Sequence, residues 1–396
     1  VASRREVQDR AVRVIVTGGG TGGHVYPTLT TVRMLQAELA ERGAAPAETL
    51  WIGAAGSLEE RVARESGIAF RPVATGKLRR AGNPLRMITW ANLRDAVRVP
   101  LGAIQALGIV RGVRPDVVVG FGGYVAVPVS VAARVGRRPM MVHEQTVRLG
   151  LANRMLVRLA TRTALSSESS LALLPSGARA RAEVTGNPVR PELFQGEPDR
   201  ARKALDLAGF DADKPTVYVT GGAQGAKQIN ALVTQLLPWL LERANVIHQC
   251  GAADFDRQRE TSFALPRELA ARYHLTPYVG AEMPDVYALA DLVISRSGAG
   301  TIAEITGLGK AAVLIPLASS AGGEQAHNAK YLEEHGAARA LVGPLTPEDL
   351  RAALEPLLAD PAARAEMAAA AREQGRPEAA RTLAALILGV AGVAER

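Results

Sequence analysis

The sequence predicts an α/β protein built from two doubly wound parallel-sheet units, and three observations carry that expectation. Apolar, β-branched runs alternate with Ala-, Leu- and Arg-rich stretches of helical length, the rhythm of a parallel sheet covered by helices. That rhythm occurs twice, and 396 residues are enough for two domains. Glycine-rich turns also follow the apolar runs at four places where a strand passes into a helix.

The first series of strands opens at Val12 to Val16 and continues at Thr49 to Ile52, Asp116 to Val119, Met140 to His143 and Thr163 to Leu165. A second opens at Thr216 to Val219 and continues at Val246 to Gln249, Leu292 to Ser295 and Ala312 to Ile315. Between them, GNPVRPELFQGEP at 186–198 carries three prolines and two glycines, which interrupt regular structure and mark a linker. The expected domains are therefore 11–188 and 199–376. An apolar helix with a polar entrance follows from Pro377, and periodicity alone does not say which domain it covers.

Composition excludes several classes. With 47% hydrophobic and 22% charged residues the chain is globular, and 4% aromatics leave little for stacking on single-stranded nucleic acid, so no nucleic-acid partner is expected. One cysteine, Cys250, rules out an intramolecular disulfide or a cysteine-built zinc site and suits a reducing compartment. The opening residues VASRREVQDR lack the apolar core of a secretory signal, and the longest apolar stretch, Thr382 to Ala394, is shorter than the ~20 residues of a membrane span. The net charge of +8 is unevenly spread: 27 Lys and Arg against 13 Asp and Glu up to Arg190, then 20 against 26, or +14 and −6. A basic amino-terminal half favours an anionic partner such as phosphate or a membrane surface.

The four glycine turns carry the chemistry. VRVIVTGGGTGGH at 12–24 runs from a strand through five glycines into a helix, a setting in which free N–H groups at the helix start suit a phosphate. Gly18, Gly20 and Gly23 satisfy the dinucleotide pattern GxGxxG, but the acid expected after the next strand is absent, since TLWIG runs into Ala54, Ala55 and Gly56. Adenosine ribose recognition is disfavoured. GFGGY at 120–124 follows DVVVG, GGAQGA at 221–226 follows TVYVT, and SRSGAGTIAE at 295–304 follows DLVIS. Any one of these reads equally as a tight turn; their recurrence points to anion cradles, two per domain. Glu304, about one turn into the last helix, can accept paired hydrogen bonds from a ribose diol or simply stabilise a helix start.

In order and spacing, GGTGGHVYP at 19–27, FGGY at 121–124, HEQ at 143–145, GNPVR at 186–190, SRSGAGTIAEI at 295–305 and the Asn328-Ala329 pair resemble the MurG family, from Val12 to the last helix. These enzymes are bacterial N-acetylglucosaminyltransferases that convert lipid I into lipid II in peptidoglycan synthesis. The resemblance implies a GT-B fold, two Rossmann-like domains facing a cleft, with the last helix returning to the first domain. It implies UDP-GlcNAc held mainly by the second domain and lipid I held by the first, at the cytoplasmic face of the membrane. It places the donor ribose on Glu304, the diphosphate along Ala299, Gly300, Thr301, Ile302 and Ala303, and further donor contacts on Arg190 and, near the sugar, Gln325. Uracil maps to backbone at Val279 or its neighbour Gly280, in a stretch one residue longer than the family pattern. Thr21, Gly22, Gly23, Thr146 and Ala223 fall at donor-side positions, and Gly20, Gly122, Gly123 and Tyr124 at acceptor-side positions. Three residues depart from the family: Thr146 replaces Asn, Ala223 replaces Ser, and Glu324 stands where His or Gln is common.

The family reaction is an inverting attack of the MurNAc 4-hydroxyl on the anomeric carbon, which needs a general base. His24, the one histidine attached to a glycine cradle, is the candidate, with capping or phosphate orientation as its alternative. His143, at a strand end beside Glu144, reads as a satisfied core or loop histidine. No DxD-like pair flanks a donor loop, so neither metal nor cofactor is expected, and loop amides with helix starts are left to screen the leaving diphosphate. GKLRRAGNPLRMITW at 76–90 interleaves basic and apolar residues and suits either docking on an anionic membrane or an ordinary amphipathic helix. A UDP-GlcNAc 2-epimerase, another glycolipid glycosyltransferase of the same fold, or a non-catalytic sugar-nucleotide-binding scaffold are the competing readings.

Overall fold

The computed structural model describes residues 10–76 and 90–393, so all of the basic-apolar stretch except Gly76 and Trp90 lies outside the described residues. The chain divides into two compact units, one reaching Pro188 and resuming at Glu378, the other Val189–Pro377.

In the first unit the strands are β1 (Arg13–Thr17), β2 (Glu48–Gly53), β3 (Ala69–Pro72), β4 (Val117–Gly120), β5 (Met140–Glu144), β6 (Arg162–Leu165) and β7 (Ala182–Val184). They form one sheet in the order β3-β2-β1-β4-β5-β6-β7, every pair parallel. In the second unit, β8 (Thr216–Thr220), β9 (Asn245–Gln249), β10 (Tyr273–Thr276), β11 (Leu292–Ser295), β12 (Ala311–Leu314) and β13 (Arg339–Ala340) form a parallel sheet in the order β10-β9-β8-β11-β12-β13. Each sheet reverses its winding once, between β1 and β4 and between β8 and β11. These are the switch points at which doubly wound sheets open a crevice beyond the strand carboxyl ends.

The strand sequences explain why both faces are covered. Val14, Val16, Val117 and Val119 feed one core, while Ile15, Val118, Met140 and Val142 feed the core on the opposite face. The second unit repeats this alternation, with Val217, Val219 and Ile294 on one side and Tyr218, Val293 and Leu314 on the other. Continuous apolar runs are what a parallel sheet buried on both faces requires. The four strands that the apolar runs do not mark, β3, β7, β10 and β13, are the sheet edges, short and partly exposed.

The last helix, Ala379–Ala391, lies in the first unit, where Leu383, Ala384, Ile387 and Leu388 join the core made by β1 and the helix Gly22–Glu41. Burial of each Leu or Ile side chain there contributes about 1.5–3 kcal/mol. Arg381 pairs with Glu38 and, at 2.9 Å, with Glu41, fixing the helix at its polar entrance. The segment from Val189 to Pro198 is no free linker: Val189 and Leu193 are buried in the second unit's core, and Gly196 packs against the Pro284 backbone. The second unit therefore starts at Val189, ten residues before the boundary that proline and glycine content suggests, because two apolar side chains anchor the segment. Among the described residues no helix is long and apolar enough to cross a membrane.

Candidate active site

At the first switch point, Thr17 of β1 stands in register with Gly120 of β4, so the loops that follow leave the sheet side by side. They touch backbone to backbone. A Cβ on Gly123, at φ +80°, would strike the carbonyl oxygen of Gly19, and Gly20 lies against the ring of Tyr124. Gly20, Thr21, Gly22, Gly23, His24, Gly122, Gly123 and Tyr124 thus form one constellation. The helix starts at Gly22 with Thr21 as an N-cap that makes no side-chain cap, and its first turn holds no acid, so the N–H groups of Gly22 and Gly23 have no partner within the helix.

His24 is in that first turn, partly exposed, with Nδ1 3.0 Å from Thr21 Oγ1 and the ring edge over Gly122. Burial lowers its pKa, opposed by a hydrogen bond to the Gly19 backbone and by the charge of Glu59. The ring is therefore neutral at pH 7 and able to accept a proton.

The HEQ residues are structural supports for these loops. His143 is fully buried, with Nε2 2.9 Å from the Gly186 carbonyl. Glu144 collects hydrogen bonds from the N–H groups of Gln145, Thr146 and Gly150, from the Thr146 hydroxyl and from Asn153. Gln145 donates to the Phe121 carbonyl at 2.9 Å and so steadies the second loop. The Thr146 hydroxyl is committed to Glu144 and to the Arg148 carbonyl.

At the second switch point Ser295 of β11 stands opposite Thr220 of β8. The turn after β8 bends sharply: a Cβ on Gly225, at φ +73°, would collide with the Cys250 carbonyl. Ala223 lies exposed on this turn. After β11, Gly298 caps the helix Ala299–Leu308 in an extended conformation without a side-chain cap, and no acid occupies the first turn. The N–H groups of Ala299, Gly300 and Thr301 therefore have no partner within the helix. Ile302, Ala303 and Glu304 follow on the same helix.

Glu304 keeps 23% of its side chain exposed. Its Oε2 accepts from the Tyr287 hydroxyl at 2.9 Å, and Oε1 lies 3.8 Å from the Arg190 guanidinium. Burial raises the carboxyl pKa, and the Arg190 charge and the Tyr287 hydrogen bond pull it back. Gln325 accepts from the Leu317 N–H at 2.9 Å and lies beside Gly298. Val279 donates its N–H to Gln249, whose amide also holds Tyr218 and the Gly222 carbonyl. That donor is thereby taken, and the Gly280 carbonyl accepts from the Met283 N–H at 3.3 Å.

Two residues without a sequence signal, Tyr287 and Gln249, and one inside the SRSGAGTIAE stretch, Arg296, lie beside these groups. Tyr287 orients Glu304 from the helix Met283–Leu289, which precedes β11, and Gln249 is marked only as a polar end to an apolar strand. Arg296 spans the switch point, with Nη1 on Gln228, Ile315 and Pro316 oxygens, and has no ion pair among the described residues. Burial lowers its pKa. Among the described residues no group of three or more His, Cys, Asp or Glu side chains is placed to hold a metal ion.

Residues 14–165 match the glycosyltransferase family 28 N-terminal domain and residues 216–383 its C-terminal domain. Over 383 residues, 96% of each chain, the sequence is 38% identical to the UDP-N-acetylglucosamine:N-acetylmuramyl-(pentapeptide) pyrophosphoryl-undecaprenol N-acetylglucosamine transferase of Symbiobacterium thermophilum. The chain belongs to the MurG family. The crystal structure of Acinetobacter baumannii MurG superposes with a TM-score of 0.74 at 27% identity, covering 96% of this chain and 99% of that one. A UDP-GlcNAc 2-epimerase from Neisseria meningitidis, at TM-score 0.64 and 15% identity over 96% and 100%, shares the fold alone. Two Rossmann-like units, each with its switch point, make this MurG family member a GT-B protein.

Both buried histidines bear on acid stability. Burial holds His143 and, in the second unit, His248 near a pKa of about 4, against an ordinary 6.5. The unfolded chain takes up these protons first, so their contribution is complete above about pH 6.5 and is lost as pH falls toward 4. Urea unfolding at pH 7 and pH 5 should show a loss of about 2 kcal/mol per histidine. His248→Asn should flatten the pH dependence of the second unit.

Proposed function

We propose that the chain transfers GlcNAc from UDP-GlcNAc to the MurNAc 4-hydroxyl of lipid I, forming the β1,4 bond of lipid II with inversion. The observation that carries this reading is the 38% identity, over 96% of the chain, to a transferase named for that donor and acceptor. The geometry supports it at both switch points. His24 takes the hydroxyl proton as the acceptor oxygen bonds to the anomeric carbon, and the bond from that carbon to the UDP oxygen breaks, leaving its electron pair on the diphosphate. N–H groups of Ala299 to Thr301, the turn 221–226 and the Arg296 charge meet the departing anion. Glu304, oriented by Tyr287, accepts from the ribose hydroxyls. Gln325 faces the sugar side.

Wild-type protein given radiolabelled UDP-GlcNAc and a lipid I analogue should form labelled lipid II. Glu304→Ala should weaken UDP binding at least tenfold, since each hydrogen bond to a charged group contributes about 1.5–3 kcal/mol. His24→Ala should lower turnover by about 10²–10⁴-fold with UDP affinity unchanged. No transfer by the wild type, or unaltered UDP affinity in Glu304→Ala, would contradict the reading.

We also propose that the first unit docks on the anionic cytoplasmic face of the membrane, where a lipid acceptor resides. On the helix Trp90–Val113, Val97, Leu101 and Ile104 are exposed at helical spacing, Ile104 by 70%, beside Arg98. Leu151, Met155 and Leu159 form a second exposed apolar group, flanked by Arg148, Arg154 and Arg158. Apolar groups rimmed by arginine suit an anionic lipid surface. Replacing Val97, Leu101 and Ile104 together by Ser should lower co-sedimentation with anionic vesicles at least tenfold, at unchanged UDP affinity. Equal binding would place the membrane face elsewhere.

A further inference from the structure

The first unit contains an acidic residue that the dinucleotide pattern does not anticipate. Glu59 lies beyond β2 on the helix Leu58–Glu65, positioned by Ser57, whose hydroxyl caps the Glu60 N–H. Its neighbour Glu60 is at the surface, paired with Arg64. Glu59 is fully buried. One carboxylate oxygen accepts from the Ala54 N–H and the other from the Gly20 N–H, both at 3.3 Å. A side chain on Gly19 would run directly into the same carboxylate, and one on Gly53 into its methylene. The carboxylate therefore fills the space beneath the first glycine loop and ties that loop to the turn after β2.

No Lys, Arg or His forms an ion pair with Glu59 among the described residues. A buried carboxylate without a cation is costly, so its surroundings must hold it there for a reason. The nearby group that can become a cation is His24, four residues beyond Gly20, the loop glycine whose N–H Glu59 accepts. The imidazole lies against Thr21 and Gly122, and the titratable groups whose charge it feels or influences are Glu59 and His143. Of these, Glu59 alone is an acid.

We infer that Glu59 is a positioning residue: its buried carboxylate clamps the first glycine loop beneath His24 and supplies the counter-charge when that imidazole takes up a proton. The inference rests on the reading of His24 as the base only for its effect on turnover. The electrostatic coupling of the two residues stands apart from that reading. The influence of Glu59 also runs opposite to the burial that lowers the His24 pKa.

The test combines NMR titration of the His24 ring, steady-state kinetics with UDP-GlcNAc and a lipid I analogue, and UDP calorimetry on the full chain. In Glu59→Gln the amide oxygen can serve only one of the two N–H groups and the charge is gone. The His24 pKa should fall by roughly 0.5–1 unit, the acidic limb of the pH–rate profile should move down with it, and turnover should drop on the order of ten- to a hundredfold. UDP affinity should stay within about twofold, because the residues assigned to the ribose, the diphosphate and the uracil lie in the other unit. Glu59→Asp, which keeps the charge but retracts it, should hold the His24 pKa near the wild-type value while turnover still falls. An unmoved His24 pKa in a folded Glu59→Gln would overturn the inference, whatever happens to turnover. A shifted His24 pKa with full activity in His24→Ala would overturn the base assignment and leave the coupling of Glu59 to His24 supported.

Discussion

A helix that follows a parallel strand begins with N–H groups that no residue of the helix can satisfy, and the proposed chemistry of this chain rests on that surplus. Two such helix starts, Gly22 and Ala299, open beyond the carboxyl ends of β1 and β11, each with no side-chain cap and no acid in its first turn. The sheets exist to hold these starts beside a second loop. The first and second loops of the amino-terminal unit can meet only because Gly123 has no side chain to strike Gly19, and the second unit's turn needs the same freedom at Gly225.

The two units resolve the same surplus differently. In the first, the loop N–H of Gly20 is taken by the internal carboxylate of Glu59, and a titratable histidine follows. In the second, Arg296, with no ion pair among the described residues, sits among loop oxygens, and Glu304 is engaged by Tyr287 and Arg190. Net charge runs the other way, basic in the first half and acidic in the second. Local placement decides: an anion is met by the groups within hydrogen-bond reach, while the distributed charge of the first half acts over the longer range of an encounter with a surface.

Strands buried on both faces were legible because their apolar runs are continuous, as in Val117 to Val119 and Leu292 to Ile294. Edge strands such as Ala69–Pro72 and Arg339–Ala340 carry no such run, and only pairing with a neighbour makes them strands. The glycine loops were legible from strand-to-helix context, and Glu304 from its place on a helix. Tyr287, Gln249 and Glu59 were not, since each reaches its partner across the fold. Glu59 carries no sequence signal for a specific reason: the dinucleotide pattern asks for an acid at the strand end, and here the acid comes six residues later and reaches the first loop. Proline and glycine content misplaced the start of the second unit because composition does not register the burial of Val189 and Leu193.

The most direct test of this division of labour is hydrogen–deuterium exchange of the full chain with and without UDP. The account predicts slowed exchange at 221–226, 279–280 and 298–304, with the loop at 120–124 unchanged. Protection of the first-unit loops by UDP, with none along 298–304, would contradict it.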